Sequence, residues 1–155
     1  MINVLFICHG NICRSPMAEY MCKDKVKKLG LGDRFHIASA ATSREEIGNG
    51  VYPPAKKKLK SVGITADNHH ARQVTKEDYD TYDYLLVMER YNIPNLMRIL
   101  KDDRQKKVYR LLDFAEEKGD IADPWYTGDF ETTYKDIERG LDGFFRMLEK
   151  EGKLS

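Results

Sequence analysis

Ile2-Asn3-Val4-Leu5-Phe6-Ile7-Cys8-His9-Gly10-Asn11-Ile12-Cys13-Arg14-Ser15-Pro16 is the stretch on which the fold turns. Ile2 to Ile7 is a short, nearly continuous apolar run, rich in β-branched and aromatic residues. That pattern reads as a strand buried on both faces, as in a parallel sheet. A glycine-containing loop follows. Ser15-Pro16 then opens a helix, with Ser15 as N-cap and Pro16 at the first helical position. Met17, Met21 and Leu29 supply that helix's buried side, and Gly30 and Gly32 end it.

The same alternation continues outward. Phe35 to Ala40 reads as a second strand, Ser43 to Pro53 as a loop, and Pro54 to Val62 as a short helix stopped by Gly63. Thr75-Lys76-Glu77-Asp78 carries a capping signal for a helical turn. Tyr84 to Met88 is a third strand, Asn92 to Leu100 a helix, Val108 to Leu112 a fourth strand, and Asp113 to Asp129 mostly loop. Phe130, Tyr134, Ile137, Leu141, Phe144 and Leu148 recur at the spacing of one apolar helical stripe. Strands alternating with helices over 155 residues predict a single α/β domain spanning 1–155, a four-stranded parallel sheet with helices on both faces. No repeat, linker or low-complexity segment interrupts it.

Composition narrows the functional class. The chain is 41% hydrophobic and 33% charged with a net charge of +1, so no charge bias points to nucleic acid or membrane. The run Lys56-Lys57-Lys58 is the pattern of a solvated helix face. Ile2 to Ile7 has neither the basic leader nor the small-residue cleavage site of a signal peptide, and no stretch approaches the ~20 apolar residues of a membrane span. Cys8, Cys13 and Cys22 all fall within the first 22 residues, unlike a secreted disulfide framework. A reducing cytoplasm is the expected setting, with cysteines kept for chemistry.

Cys8 and Arg14 frame a C-x5-R pattern. Alone that pair is weak, since ten arginines and three cysteines can produce it by chance. Its setting between a buried strand and a helix N-terminus gives it weight, because ligands of open α/β sheets bind at the carboxyl ends of strands and loop amides at a helix start bind anions. The amides from Gly10 to Ser15 are candidate phosphate donors, with Gly10 letting the chain curl without a Cβ clash. The Arg14 fork can hold two phosphate oxygens at once. The positive surroundings favour the Cys8 thiolate, the reactive form, and Ser15 can donate to it. Asn11 tolerates left-handed geometry and can pin the loop by its side chain. Expelling a phenol, whose pKa is ~10, also calls for a proton donor. Asp123-Pro124-Trp125-Tyr126 supplies a candidate acid, a proline that stiffens its loop, and two aromatics for a substrate wall.

With these residues in view, Val4 to Glu19 resembles the phosphate-binding loop of the low-molecular-weight protein tyrosine phosphatases. Asp123-Pro124-Trp125-Tyr126 resembles their general-acid loop, and Ala71-Arg72-Gln73-Val74-Thr75 matches a further segment. The resemblance implies a four-stranded parallel sheet, no metal or other cofactor, and a phosphocysteine intermediate in phosphotyrosine hydrolysis. It implies Cys8 as nucleophile, Arg14 as phosphate-binding arginine, Asp123 as general acid and Ser15 as stabiliser of the thiolate. It also implies that Asn11, Ser39 and His69 hold the loop's shape, and that Cys13 guards Cys8 by a reversible disulfide. His9, Gly10, Ile12, Trp125 and Tyr126 fall on the loop and its rim. The implied partners are phosphotyrosine-containing proteins, with the enzyme a monomer or weak dimer.

Two positions depart from the family pattern: His9 replaces a common aliphatic residue, and Glu45 and Glu46 stand where some members carry an aromatic. Three other readings are weaker. An arsenate reductase needs further relay cysteines, and none follows Cys22. An arginine phosphatase of this family carries a small threonine where Ile12 stands. A dead phosphate-binding module would not fill every catalytic position. The adjacent His69 and His70 suggest no metal pair, because neighbouring side chains of an extended segment point apart.

Overall fold

In the computed structural model, which describes residues 1–154, the opening apolar run is strand β1, Ile2–Cys8. The other strands are β2 (Phe35–Ala41), β3 (Tyr84–Val87) and β4 (Val108–Arg110). They form one all-parallel sheet in the order β2-β1-β3-β4. The helices are α1 (Arg14–Lys28), α2 (Pro53–Ser61), α3 (Asp78–Thr81), α4 (Asn92–Leu100), α5 (Pro124–Thr127) and α6 (Phe130–Lys150).

The strand alternation sorts the core into two layers. Val4 and Phe6 of β1, with Tyr84 and Leu86 of β3, face a cluster that includes Met17 and Met21 of α1, Leu59 of α2, and Ile137, Leu141 and Phe144 of α6. Leu5 and Ile7, with Leu85 and Val87, face Leu96 and Leu100 of α4 and Tyr82 after α3. Val4, Leu5, Phe6 and Ile7 are wholly buried, each contributing about 1.5–3 kcal/mol. The expected α/β sheet with helices on both faces is what forms. No helix among the described residues is long and apolar enough to cross a membrane.

Several expected boundaries shift. Ser15 is inside α1 rather than its cap; Cys13 holds the cap position and no side chain caps the helix. Leu29 lies past the end of α1 and is 54% exposed, because the chain turns at Gly30 (φ 72°). β4 stops at Arg110, and Leu111 and Leu112 enter a 3-10 turn, Leu111–Phe114, that tucks both under α6. The expected loop before Asp129 also contains α5.

Close approach of α6 to that turn depends on two glycines. A Cβ at Gly143 would meet the Phe114 carbonyl oxygen at 2.0 Å, and one at Gly140 the Leu111 Cγ at 2.5 Å. Backbone cannot yield as a side chain can. Gly143→Ala should therefore destabilise by about 3 kcal/mol or more and Gly140→Ala by less, read by urea unfolding. A Gly143→Ala change within about 0.5 kcal/mol of wild type would show that α6 is not seated as described.

Running from β1 to β2 on one side and then to β3 on the other, the chain reverses its winding direction at β1. A crevice opens at the carboxyl ends of strands flanking such a reversal. Cys8 ends β1 and Glu89 follows β3 by two residues, so both stand at that crevice.

Candidate active site

Between Cys8 and α1 the chain curls tightly. The left-handed step is taken by Asn11 (φ 61°), a residue whose short polar side chain tolerates it. Gly10 does not have the role expected of it: its φ is not left-handed, and a Cβ there would meet only ordinary contacts, Glu46 Cγ at 3.5 Å and Ile12 Cγ1 at 3.8 Å. The curl leaves amides unpaired. The N–H groups of Gly10, Ile12, Cys13, Arg14 and Ser15 make no hydrogen bond among the described residues, while Asn11 N–H donates to Cys8 Sγ at 3.3 Å. Unpaired amides along one short loop, at an uncapped helix N-terminus, are the donors an anion cradle needs.

A buried polar chain fixes the loop from behind. Asn11 Nδ2 donates to Ser15 Oγ (2.8 Å) and to Ser39 Oγ (2.9 Å), and Ser39 Oγ donates to Glu19 Oε1 (2.6 Å). With its lone pair engaged by Asn11, the Ser15 hydroxyl is left to donate to Cys8 Sγ, 3.0 Å away. Asn11 Oδ1 accepts from Arg72 N–H at 3.2 Å, and Arg72 is itself held by both oxygens of Asp78. His69 Nε2 donates to the Asn11 carbonyl at 2.7 Å. Burial pushes the His69 pKa down, against the pull of that carbonyl. Since a carbonyl only accepts, Nε2 carries the proton even in the neutral ring. His70 instead reaches the Gly48 carbonyl (3.3 Å), so the two histidines serve different partners.

Arg14 is 2% exposed. Its Nη1 donates to the Ile121 carbonyl (2.9 Å) and to Glu89 Oε2, and its Nη2 to Asp123 Oδ2 (3.3 Å). Burial opposes the Arg14 charge, but Cys8, Asp123 and Glu89 together keep its pKa above the usual arginine value. Burial, reinforced by Cys8 and Asp123, pushes the Cys13 thiol up to about 12, so Cys13 stays protonated beside the cleft. Cys8, Cys13 and Cys22 are free and buried.

These residues open into a cleft of about 220 Å³ lined by the loop, Glu45, Glu46, Asp123, Trp125 and Tyr126. Asp123 caps α5, accepting from Trp125 N–H through Oδ1 at 3.0 Å, which leaves Oδ2 turned to Arg14. Trp125 packs on Tyr52 with ring centroids 4.7 Å apart, and Tyr126 is 85% exposed. On the rim His9 Nε2 lies 2.9 Å from Glu45 Oε2, so the two departures from the family pattern meet in one pair. The structure thus brings together every expected site residue. It adds Glu19 and Arg72, which lie in the resembling segments but had no expected role, and Tyr52, Glu89 and the Ile121 carbonyl, which lie outside them. For Glu89 the available signal was its position just past the strand beside β1.

The model of the family described as low molecular weight phosphotyrosine protein phosphatase matches residues 3–154. The chain belongs to this family. Among low-molecular-weight phosphatases, it is 38% identical to the Bacillus subtilis low molecular weight protein-tyrosine-phosphatase YfkJ, covering 99% of this chain and 100% of that one. It is 41% identical to the Gallus gallus low molecular weight phosphotyrosine protein phosphatase over 92% of each. The crystal structure of YfkJ superposes with a TM-score of 0.92 over 97% of this chain and 96% of that one. A Drosophila arginine phosphatase structure, 28% identical, superposes at 0.85 over 93% and 96%. The chain is a phosphatase of the low-molecular-weight protein tyrosine type, acting on phosphoproteins.

Proposed function

We propose that residues 1–155 form one phosphatase domain that hydrolyses phosphotyrosine in proteins, in a reducing cytoplasm, through a phosphocysteine on Cys8. The single observation that carries this reading is the run of unpaired loop amides that follows Cys8, with Cys8, Arg14 and Asp123 in one cleft.

In the first step the Cys8 thiolate attacks phosphorus. An S–P bond forms, the P–O bond to the tyrosyl ring breaks, and its electron pair leaves with the phenolic oxygen. Asp123, protonated, gives that oxygen its proton. In the second step Asp123, now a carboxylate, takes a proton from water as the water oxygen bonds to phosphorus. The S–P bond breaks, inorganic phosphate forms and the thiolate returns. Amides of the loop and the Arg14 fork hold the equatorial oxygens throughout. The Tyr52–Trp125 pair offers an aromatic wall for the substrate ring.

Asp123→Ala tests the acid. Its kcat on phosphotyrosine should fall about 10²- to 10⁴-fold, and far less on aryl phosphates whose leaving groups need no proton. Equal loss across a leaving-group series would make Asp123 structural. The arginine-phosphatase alternative is tested on matched phosphotyrosyl and phosphoarginyl peptides. Faster hydrolysis of phosphotyrosine is expected, and preference for phosphoarginine would overturn the substrate assignment.

A further inference from the structure

Phosphate enters the Cys8 cleft past an acidic rim. Of the charged side chains that line the cleft, Arg14 and Asp123 face each other in its interior, while His9, Glu45 and Glu46 stand at the rim. Arg44, next in the chain to Glu45, does not line it. The one basic group at the rim is His9, whose Nε2 donates to Glu45 Oε2 at 2.9 Å. Oε2 of Glu46 accepts from Asn49 Nδ2 at 2.6 Å. The Oε1 atoms of Glu45 and Glu46 make no hydrogen bond among the described residues. Two carboxylates at the entrance repel the phosphate dianion they must admit. A substrate that brings its own cation to them offsets that repulsion. We propose that Glu45 and Glu46 are specificity-determining residues: they favour protein segments with lysine or arginine beside the phosphotyrosine and disfavour those with an acidic neighbour. This inference rests on the phosphotyrosine reading of the same cleft.

The carboxylates are held in place rather than trailing from a loose loop. Ser43 donates twice to the His9 carbonyl, through N–H (3.1 Å) and Oγ (2.9 Å), which ties the start of their segment to the phosphate loop. Its far end is tied by Gly48 N–H to the Ala71 carbonyl and by Ala71 N–H to the Asn49 carbonyl, both at 2.8 Å. Glu46 Cγ lies close against Gly10. Such a rim meets a partner with little ordering cost.

The surroundings suit a peptide chain rather than a small ester. Among the exposed large apolar side chains, Ile47, Tyr91, Trp125 and Tyr126 lie on the segments that follow β2, β3 and β4, at the same end of the sheet as the cleft. Exposed apolar groups beside fixed charges are the make-up of a protein-binding rim.

The test measures kcat/KM on three phosphotyrosyl peptides, identical except that the residues on both sides of phosphotyrosine are Lys, Ala or Glu. Wild type is compared with Glu45→Gln/Glu46→Gln and with Glu45→Lys/Glu46→Lys, with thermal unfolding as fold control. Exposed ion pairs are individually weak, so for wild type a Lys-to-Glu preference of about tenfold is expected at low salt. It should shrink toward unity in ~0.5 M salt. The glutamine pair keeps size and polarity without charge and should bring the ratio within about twofold of unity, and the lysine pair should invert it. Equal rates on all three peptides in wild type would overturn the proposal. So would a preference for lysine that survives in the glutamine pair, because its source would then lie elsewhere. Either result leaves the phosphotyrosine reading standing. Failure of wild type to hydrolyse any of the three peptides would instead remove that reading, and the proposal with it.

Discussion

Cys8→Ser should abolish turnover, lowering kcat on phosphotyrosyl peptides by on the order of 10⁴-fold or more while leaving the thermal unfolding curve close to wild type. The substitution is nearly isosteric, and the Asn11 amide and Ser15 hydroxyl that address the sulfur can address an oxygen equally well. An alcohol is far less ionised than a thiol, so the cradle would still bind phosphate but hold no nucleophile. Phosphate binding by titration should thus survive in a variant that does not turn over. Substantial phosphatase activity in Cys8→Ser would exclude the covalent mechanism.

The second large effect is expected at Arg14. Arg14→Lys retains the charge and removes the fork. A lysine ammonium on a four-carbon stem cannot serve Glu89, the Ile121 carbonyl and Asp123 and also offer two parallel donors to phosphate. Its three N–H donors radiate from one nitrogen, so phosphate would compete with Glu89, the Ile121 carbonyl and Asp123 for them, with the desolvation cost of any buried group left unpaired. A loss of about 10³-fold in kcat/KM is expected, with a matching rise in the inhibition constant for inorganic phosphate, both read by steady-state kinetics. Near-normal values would remove Arg14 from phosphate binding.

What could be read in the sequence was local or periodic. The run Ile2–Ile7 and the stripe from Phe130 to Leu148 fold as β1 and α6, because continuous burial and a 3.6-residue period each admit few alternatives. Asn11 in left-handed geometry and the convergence of Cys8, Arg14 and Asp123 were legible because the Cys8–Arg14 pair sits between a buried strand and a helix start and because both loops carry the family resemblance. Ser15 shows where local reading stops. As a residue before Pro16 it reads as a helix cap, yet the fold brings Asn11 and Cys8 to its hydroxyl and uses it for the sulfur. Gly10 reads as sparing the curl a Cβ clash, yet a Cβ there would meet only ordinary contacts. Glu19 and Arg72 lie in the segments that carry the family resemblance but were given no role, and Glu89 and Tyr52 belong to no motif. Each reaches the site through a contact between segments distant in the chain, such as Arg14 to Glu89 across 75 positions, and only the strand order brings those segments together.

The most direct test of the central claim is a rapid-quench single turnover of the reduced wild-type enzyme with a radiolabelled aryl phosphate, followed by mapping of the label. The mechanism predicts a burst of enzyme-bound phosphate approaching one per molecule, recovered on the fragment that contains Cys8 and decaying as inorganic phosphate appears. Turnover without labelled enzyme, or label on any residue other than Cys8, would contradict it.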